Sequence, residues 1–332
     1  MIISRAPMRI SFLGGGTDIA PYDAESGGNV LSIAINKYAY TDLEFLSDKK
    51  IVLESEGNIL EFNKLSDIVY DGNLDILKSV VRHFNASGIR ISLSTDIGKR
   101  SGLGLSASVY AALIGLFNLG GDLTKHEIAE TAYKLEREDL KNMGGRQDQY
   151  AAVFGGMNFI EFRGGDFVKV ERLNIKEDYL KDLERNLIMV KVGERGDSGE
   201  VIEDQTRSYK ERKKRTLEGL DEAKKMAIEG RKYFIRGDLI EFGNLLNDAW
   251  EAKKKFSDKI TNPTIDKIYN LGMKNGALGG KISGAGGGGH MFFYSHPEKT
   301  DKLKRALKNT GLTVIDFGFD FNGLVTWKTK TK

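Results

Sequence analysis

Apolar and polar side chains alternate with a period of two along Ile89-Arg90-Ile91-Ser92-Leu93-Ser94, which predicts a half-buried strand. Soon after it, Val109-Tyr110-Ala111-Ala112-Leu113-Ile114-Gly115-Leu116-Phe117 is apolar throughout and rich in alanine, so it predicts a largely buried helix. The same patterning places strands at 10–13, 30–35, 39–46, 158–163 and 167–172. It also places a hairpin at 51–54 and 59–62, turning on Ser55-Glu56-Gly57-Asn58. Helical spacing runs over 74–84, and again from Thr124, an expected N-cap, over 127 to about 141. A short apolar helix follows Gln147 and stops at Gly155-Gly156. The composition turns charged around 175–185, which divides the chain into expected units 1–178 and 179–332. The second unit shows a strand at 187–192, a long helical segment at roughly 202–235, a helix at 263–274 and a strand at 291–294.

Between the strand at 89–94 and its helix lies Ser101-Gly102-Leu103-Gly104-Leu105-Ser106-Ala107-Ser108, which reads as a glycine loop and a helix start. Glycine admits backbone conformations closed to other residues and lets a ligand come close. The first helical turn adds unpaired N–H groups and the positive end of the dipole, so the junction suits an anion, most often phosphate. It equally suits ordinary turn and capping chemistry, so the loop alone does not decide. It lacks the Gly-Lys-Ser/Thr of a Walker A loop, and Ala107 stands where the dinucleotide fingerprint needs a third glycine. Two further glycine-dense loops occur, at 14–16 and 284–289. The last is clamped between an expected helix and a strand, unlike a Gly/Ser tether, and predicts a backbone packed against another loop or a ligand.

Composition narrows the function. With 332 residues, 40% of them hydrophobic and 29% charged, the chain suits a soluble two-domain protein. No stretch approaches the roughly 18 apolar residues of a membrane span, and Met1-Ile2-Ile3-Ser4-Arg5 has no leader-like basic region. The absence of cysteine excludes disulfides and thiol chemistry, and the four scattered histidines show no metal spacing. A net charge of +3 is too small for a nucleic-acid partner. The one dense basic run, Lys210-Glu211-Arg212-Lys213-Lys214-Arg215, reads as a solvated helix face, and Lys328-Thr329-Lys330-Thr331-Lys332 as a frayed tail. A cytoplasmic protein is expected; the oligomeric state is not readable, and a homodimer stays open.

Three stretches in order carry a resemblance. Ala6-Pro7-Met8-Arg9-Ile10 with Gly14-Gly15-Gly16-Thr17-Asp18, then Ser101 to Ala107, then Lys281-Ile282-Ser283-Gly284-Ala285-Gly286-Gly287-Gly288-Gly289 resemble the three motifs of the galactokinase, homoserine, mevalonate and phosphomevalonate (GHMP) kinases. Gly144-Gly145-Arg146-Gln147-Asp148-Gln149-Tyr150, Ala249-Trp250-Glu251-Ala252-Lys253-Lys254 and Asn275-Gly276-Ala277-Leu278-Gly279-Gly280 are similar to the D-glycero-D-manno-heptose 7-phosphate kinase group within that family. The resemblance implies an α+β fold: an N-terminal mixed sheet with a crossover helix, then a ferredoxin-like C-terminal domain, with the site between them. It implies ATP, its phosphates wrapped by Gly102, Leu103, Gly104, Leu105, Ser106, Ala107 and Ser108, and Mg²⁺ held by Ser106 and Glu136. It implies Asp148 as the base for the attacking hydroxyl, with Arg9 beside it. Gly16, Thr17, Asp18 and Gln147 would bind a small-molecule phosphoryl acceptor, over which Gly284, Ala285 and Gly286 close.

Two departures matter. Leu105 and Ala107 replace serines usual in the phosphate loop of the heptose group, and Gly98-Lys99-Arg100 replaces an expected proline. The heptose group also usually reads Thr-Gly-x-Ser-Arg-x-Ser where this chain has Val192-Gly193-Glu194-Arg195-Gly196-Asp197-Ser198. That second departure leaves a mevalonate-pathway kinase, such as a mevalonate 3-phosphate 5-kinase, as an alternative to a heptose phosphate kinase. An inactive ligand sensor is the alternative from another class, opposed by retention of Ser106, Glu136, Asp148 and Arg9.

Overall fold

The computed structural model describes residues 1–165, 167–193, 196 and 198–329. The expectations at Glu194, Arg195, Asp197, the Ser198 side chain, Lys330, Thr331 and Lys332 lie outside what is described. Along the chain run β1 (Ile2–Leu13), α1 (Tyr22–Ser26), β2 (Gly28–Phe45), β3 (Ile51–Ser55), β4 (Asn58–Phe62), α2 (Asp75–His83), β5 (Ile89–Thr95) and α3 (Leu105–Phe117). Next come α4 (Lys125–Lys134), α5 (Gln147–Phe154), β6 (Met157–Phe162), β7 (Val168–Arg172), α6 (Glu177–Asn186) and β8 (Leu187–Gly193). The chain closes with α7 (Ser198–Lys210), α8 (Lys214–Arg236), α9 (Leu239–Lys254), α10 (Pro263–Lys274), β9 (Ala277–Ile282), β10 (Gly289–Ser295), α11 (Thr300–Lys308), β11 (Thr313–Ile315) and β12 (Val325–Lys328).

Two sheets organise these elements. The first has the order β12-β1-β2-β5-β3-β4, with β6 on the free half of β2 and β7 on β6. Its strands are antiparallel except β3 and β5, so it is the mixed sheet expected. The second, β11-β8-β10-β9, is antiparallel throughout and links its strands in the β-α-β-β-α-β order of a ferredoxin-like sheet. The α+β architecture is therefore as expected.

Four local expectations change. The separate strands at 30–35 and 39–46 are one strand, because β1 pairs with β2 from Leu31 to Leu43 while β6 and β5 take its two halves. Asn36 and Lys37, between the two expected strands, are extra residues at the register shift opposite Pro7 and Met8, where proline has no N–H to give the ladder. The helix at 202–235 is two helices, with Arg212 at φ +55° in the corner between them. The basic run is thus a corner rather than a helix face, and it is held by Arg212 Nη2–Glu25 at 3.0 Å and Arg215 Nη1–Asp258 at 2.5 Å. Lys328 is not frayed: β12 pairs with β1, and the Thr329 N–H donates to Met1 O at 3.1 Å. This final strand joins the first sheet, although the division at 178/179 assigned it to the second unit. Within the glycine run, Gly279 to Lys281 belong to β9, and only 283–288 form the loop.

A shared core holds the sheets in register. Met8, Ile10 and Phe12 of β1 pack with Phe234 of α8, Phe242 of α9 and Phe292 of β10. The Phe12 ring lies 5.3–5.8 Å from each of those three rings, and each such pair contributes roughly 0.5–1.5 kcal/mol beyond area burial. Arg9, on the same strand, reaches the second unit through Nη1, which lies 3.5 Å from Ser283 Oγ in the loop between β9 and β10. No helix among the described residues is long and apolar enough to cross a membrane.

Candidate active site

α3 starts behind Gly104, held at φ +76°, and Gly102 is also at φ +76°. Glycine makes that double turn cheap and aims the helix end at a cleft. The N–H groups of Leu105, Ser106 and Ala107 have no acceptor among the described residues, so three donors and the positive dipole end face outward. The cleft has a volume of about 920 Å³ and is lined from the first sheet's side by Gly102, Gly104, Leu105 and Ser106. The Leu103, Ala107 and Ser108 side chains are buried instead. Ser108, expected to meet the phosphates through its backbone N–H, gives that N–H to Gly104 O at 3.1 Å, while its hydroxyl donates to Pro7 O at 2.8 Å and fastens α3 to β1. The Leu103 N–H is likewise taken, by Ser101 Oγ at 3.3 Å.

Arg9 and Asp148 meet across this loop. Arg9 Nε donates to Oδ1 at 2.8 Å and Nη2 to Oδ2 at 2.9 Å, a two-pronged ion pair. The arginine side chain is 4% exposed and the aspartate 23%, so the carboxylate keeps a face toward the cleft. Arg9 Nη1 donates to Gly102 O at 2.8 Å, and the Arg9 N–H to Leu103 O at 2.9 Å. A Cβ on Gly104 would stand 3.4 Å from both Asp148 Oδ2 and Arg9 Cγ, so loop and ion pair are in direct contact.

The expected helix over 127–141 begins as predicted, with Thr124 and Glu127 forming a reciprocal capping box. It then changes to a π turn over Leu135–Asp139, a distortion common at functional sites. That turn places Glu136 on the cleft wall although the residue is only 2% exposed. Gln149 Nε2 donates to Glu136 Oε2 at 2.6 Å, and Arg137 Nη1 stands 3.4 Å from Oε1. A buried carboxylate persists only with such partners. Ser106 and Glu136 thus offer two hard oxygens beside the free amides, a donor set suited to Mg²⁺, which takes few protein ligands. No group of three or more metal-ligating side chains occurs among the described residues.

Gly16, Asp18 and Gln147 also line the cleft. Asp18 accepts from the Gly16 N–H at 3.1 Å, the Gln147 N–H at 3.1 Å and Gln147 Nε2 at 2.8 Å. Burial, with the Asp148 charge nearby, raises its pKa despite the backbone donors. Thr17 does not reach the cleft: its hydroxyl donates to Gly14 O at 2.8 Å and lies 3.1 Å from Asn29 O, and it is wholly buried. Gly284 and Ala285 line the cleft, whereas Gly286 packs on Ile260.

Sequence reasoning left out four second-unit residues. Lys253 lines the cleft and donates to Gly284 O, Gln205 Nε2 donates to Gly16 O at 2.9 Å, and His290 Nδ1 lies 2.8 Å from Ser101 O. Lys281 Nζ donates to Phe12 O at 2.9 Å, and burial, with Arg9 as its second cause, pulls its pKa down to about 7. Lys253 and Lys281 stand inside recognisable motifs, which was their one available signal. Gln205 and His290 carried none.

The family description "GHMP kinases N terminal domain" matches residues 73–156, and "GHMP kinases C terminal" matches residues 231–312. A D-glycero-alpha-D-manno-heptose 7-phosphate kinase of Campylobacter jejuni is 35% identical, over 98% of this chain and 99% of that protein. The crystal structure of a D-glycero-D-manno-heptose 1-phosphate kinase from Bacteriodes thetaiotaomicron superposes with a TM-score of 0.85 at 28% identity, covering 100% of both chains. A mevalonate kinase of Pyrococcus abyssi is more distant, 25% identical over 94% of each chain.

Proposed function

We propose a reaction on one premise: the chain belongs to the GHMP kinases, a family of ATP-dependent phosphotransferases. It transfers the terminal phosphate of ATP to a hydroxyl of a small, already phosphorylated sugar, a heptose phosphate. The observation that carries the reading is the contact of the α3 amide cluster with the Arg9–Asp148 pair, through Gly104. The 35% identity to the Campylobacter jejuni protein supports the acceptor class. Nothing in the cleft favours a mevalonate derivative, and the intact ion pair gives no support to an inactive sensor.

Phosphoryl transfer through a loose transition state needs positioning and charge stabilisation more than covalent help. The apolar end of the cleft, with Leu74, Leu93, Leu105 and Val109, takes the base, and the α3 amides take the phosphates. The acceptor lies beside Asp18, Gln147 and Lys253. Its hydroxyl oxygen bonds to the terminal phosphorus as the bond from phosphorus to the ADP oxygen breaks. The hydroxyl proton passes to Asp148 and then to solvent, while Arg9 holds that carboxylate in place and offsets charge. Mg²⁺, held by Ser106 and Glu136, would neutralise phosphate charge when bound.

The test is ADP release and ³¹P NMR over heptose 7-phosphate, heptose 1-phosphate, mevalonate, its phosphates and free sugars. Turnover of a heptose phosphate is expected. Turnover confined to mevalonate derivatives would replace the acceptor, and no turnover of any acceptor would refute the reading.

A further inference from the structure

The second sheet touches the phosphate loop at a point the reaction above does not use. His290, the second residue of β10, is 3% exposed, and its Nδ1 lies 2.8 Å from Ser101 O. A carbonyl oxygen only accepts, so Nδ1 carries the proton. Burial first, and the Lys191 charge in smaller part, hold the imidazole pKa below its usual value, although the bond to Ser101 opposes them. Beside it Gly289, at φ +85°, brings β10 so close that a Cβ there would sit 2.6 Å from the same oxygen.

Three successive carbonyls of the loop are each tied to a donor. Ser101 O bonds to His290, Gly102 O to Arg9 Nη1 and Leu103 O to the Arg9 N–H. In a trans peptide the C=O and the following N–H point in opposite directions. Tying Ser101 O back onto β10 therefore turns the Gly102 N–H the other way. Gly102 lines the cleft, and its N–H has no acceptor among the described residues.

We infer that His290 is a positioning residue that locks the Ser101–Gly102 peptide, so that the Gly102 N–H joins the α3 amides as a donor to the nucleotide phosphates. Without the imidazole the peptide is free to rotate, and rotation swaps a donor for a carbonyl dipole of the wrong sign. The inference rests on the nucleotide reading above, and it gives the second sheet a direct part in phosphate binding.

Three variants test it: His290→Leu removes the donor, His290→Asn keeps one, since the amide nitrogen falls near the Nδ1 position, and His290→Gln moves it to the Nε2 position. The measurement is calorimetric binding of a non-hydrolysable ATP analogue with Mg²⁺, alongside acceptor KM and thermal unfolding. His290→Leu should weaken nucleotide binding about tenfold, the size of one bond to a charged group, and leave acceptor KM within about twofold. His290→Asn should recover affinity to within about threefold of the unaltered chain. If His290→Leu does not fold, the same contrast is expected between His290→Gln, weak, and His290→Asn, restored. Equal affinity across the variants, or a His290→Asn protein as weak as the variant lacking the donor, would overturn the inference. An unaltered chain that binds no nucleotide at all would refute the kinase reading itself, and the positioning role with it.

Discussion

Lys281→Met should make the protein more stable at neutral pH. Lys281 is 2% exposed, its ammonium donates to the Phe12 carbonyl, and the charge acting on it is another cation, Arg9. Its pKa falls from 10.5 to about 7 in the folded chain. Between those values the unfolded chain binds a proton that the folded chain does not, so stability from this group rises with pH across the window. At about 1.36 kcal/mol per pH unit, the buried charge costs about 4–5 kcal/mol at and below pH 7 and nothing above about 10.5. Methionine nearly matches the volume but loses the bond to Phe12 and leaves its carbonyl unsatisfied, a cost of about 1–2 kcal/mol. The variant should therefore be more stable by about 2–4 kcal/mol near pH 6, and less stable by only about 0–1 kcal/mol near pH 10, where about 1 kcal/mol of the charge cost remains. Urea unfolding of both proteins at matched pH values gives the difference directly, because titrations elsewhere cancel. Two stability curves that run parallel from about pH 6 to pH 10 would refute the reasoning.

Asp148→Asn should lower kcat about 10³-fold through loss of the base while nucleotide affinity stays within about twofold; an equal fall in both would remove the base assignment. Gln149→Leu strips Glu136 of its 2.6 Å donor and should weaken Mn²⁺ binding in the presence of ADP about tenfold, read by electron paramagnetic resonance; unchanged metal affinity would count against Glu136 as a ligand. Gly289→Ala places a methyl 2.6 Å from Ser101 O at φ +85° and should cost about 2–4 kcal/mol, seen as a lower Tm; an unchanged Tm would argue against so close an approach of β10.

Features set by neighbours in sequence were legible from it. The Thr124 cap of α4, the start of α10 at Pro263 and the glycine-to-helix junction at 102–105 all depend on residues a few positions apart. Motif order was enough to single out Arg9, Glu136 and Asp148, which do line one cleft. The corner at Arg212 was not legible, because helical periodicity continues on both sides and the break is held by Glu25, far away in sequence. The unity of β2 depended on which strands would lie along it.

Hydroxyl and amide directions were the least readable. Ser108 and Thr17 have the residue types of ligands, yet Pro7 O, Gly14 O and Asn29 O claim their hydroxyls, because a buried polar group must bond to whatever the fold brings near. The 93–189 residues separating Gly102 from Arg9 and Ser101 from His290 leave no trace in local pattern. Periodicity, capping and glycine's conformational freedom are short-range properties, so they settle the elements and the glycine loop that opens α3. Which side chains face that loop follows from long-range packing, here the aromatic cluster around Phe12 between the sheets and the contacts of the second unit with Arg9 and the Ser101 carbonyl.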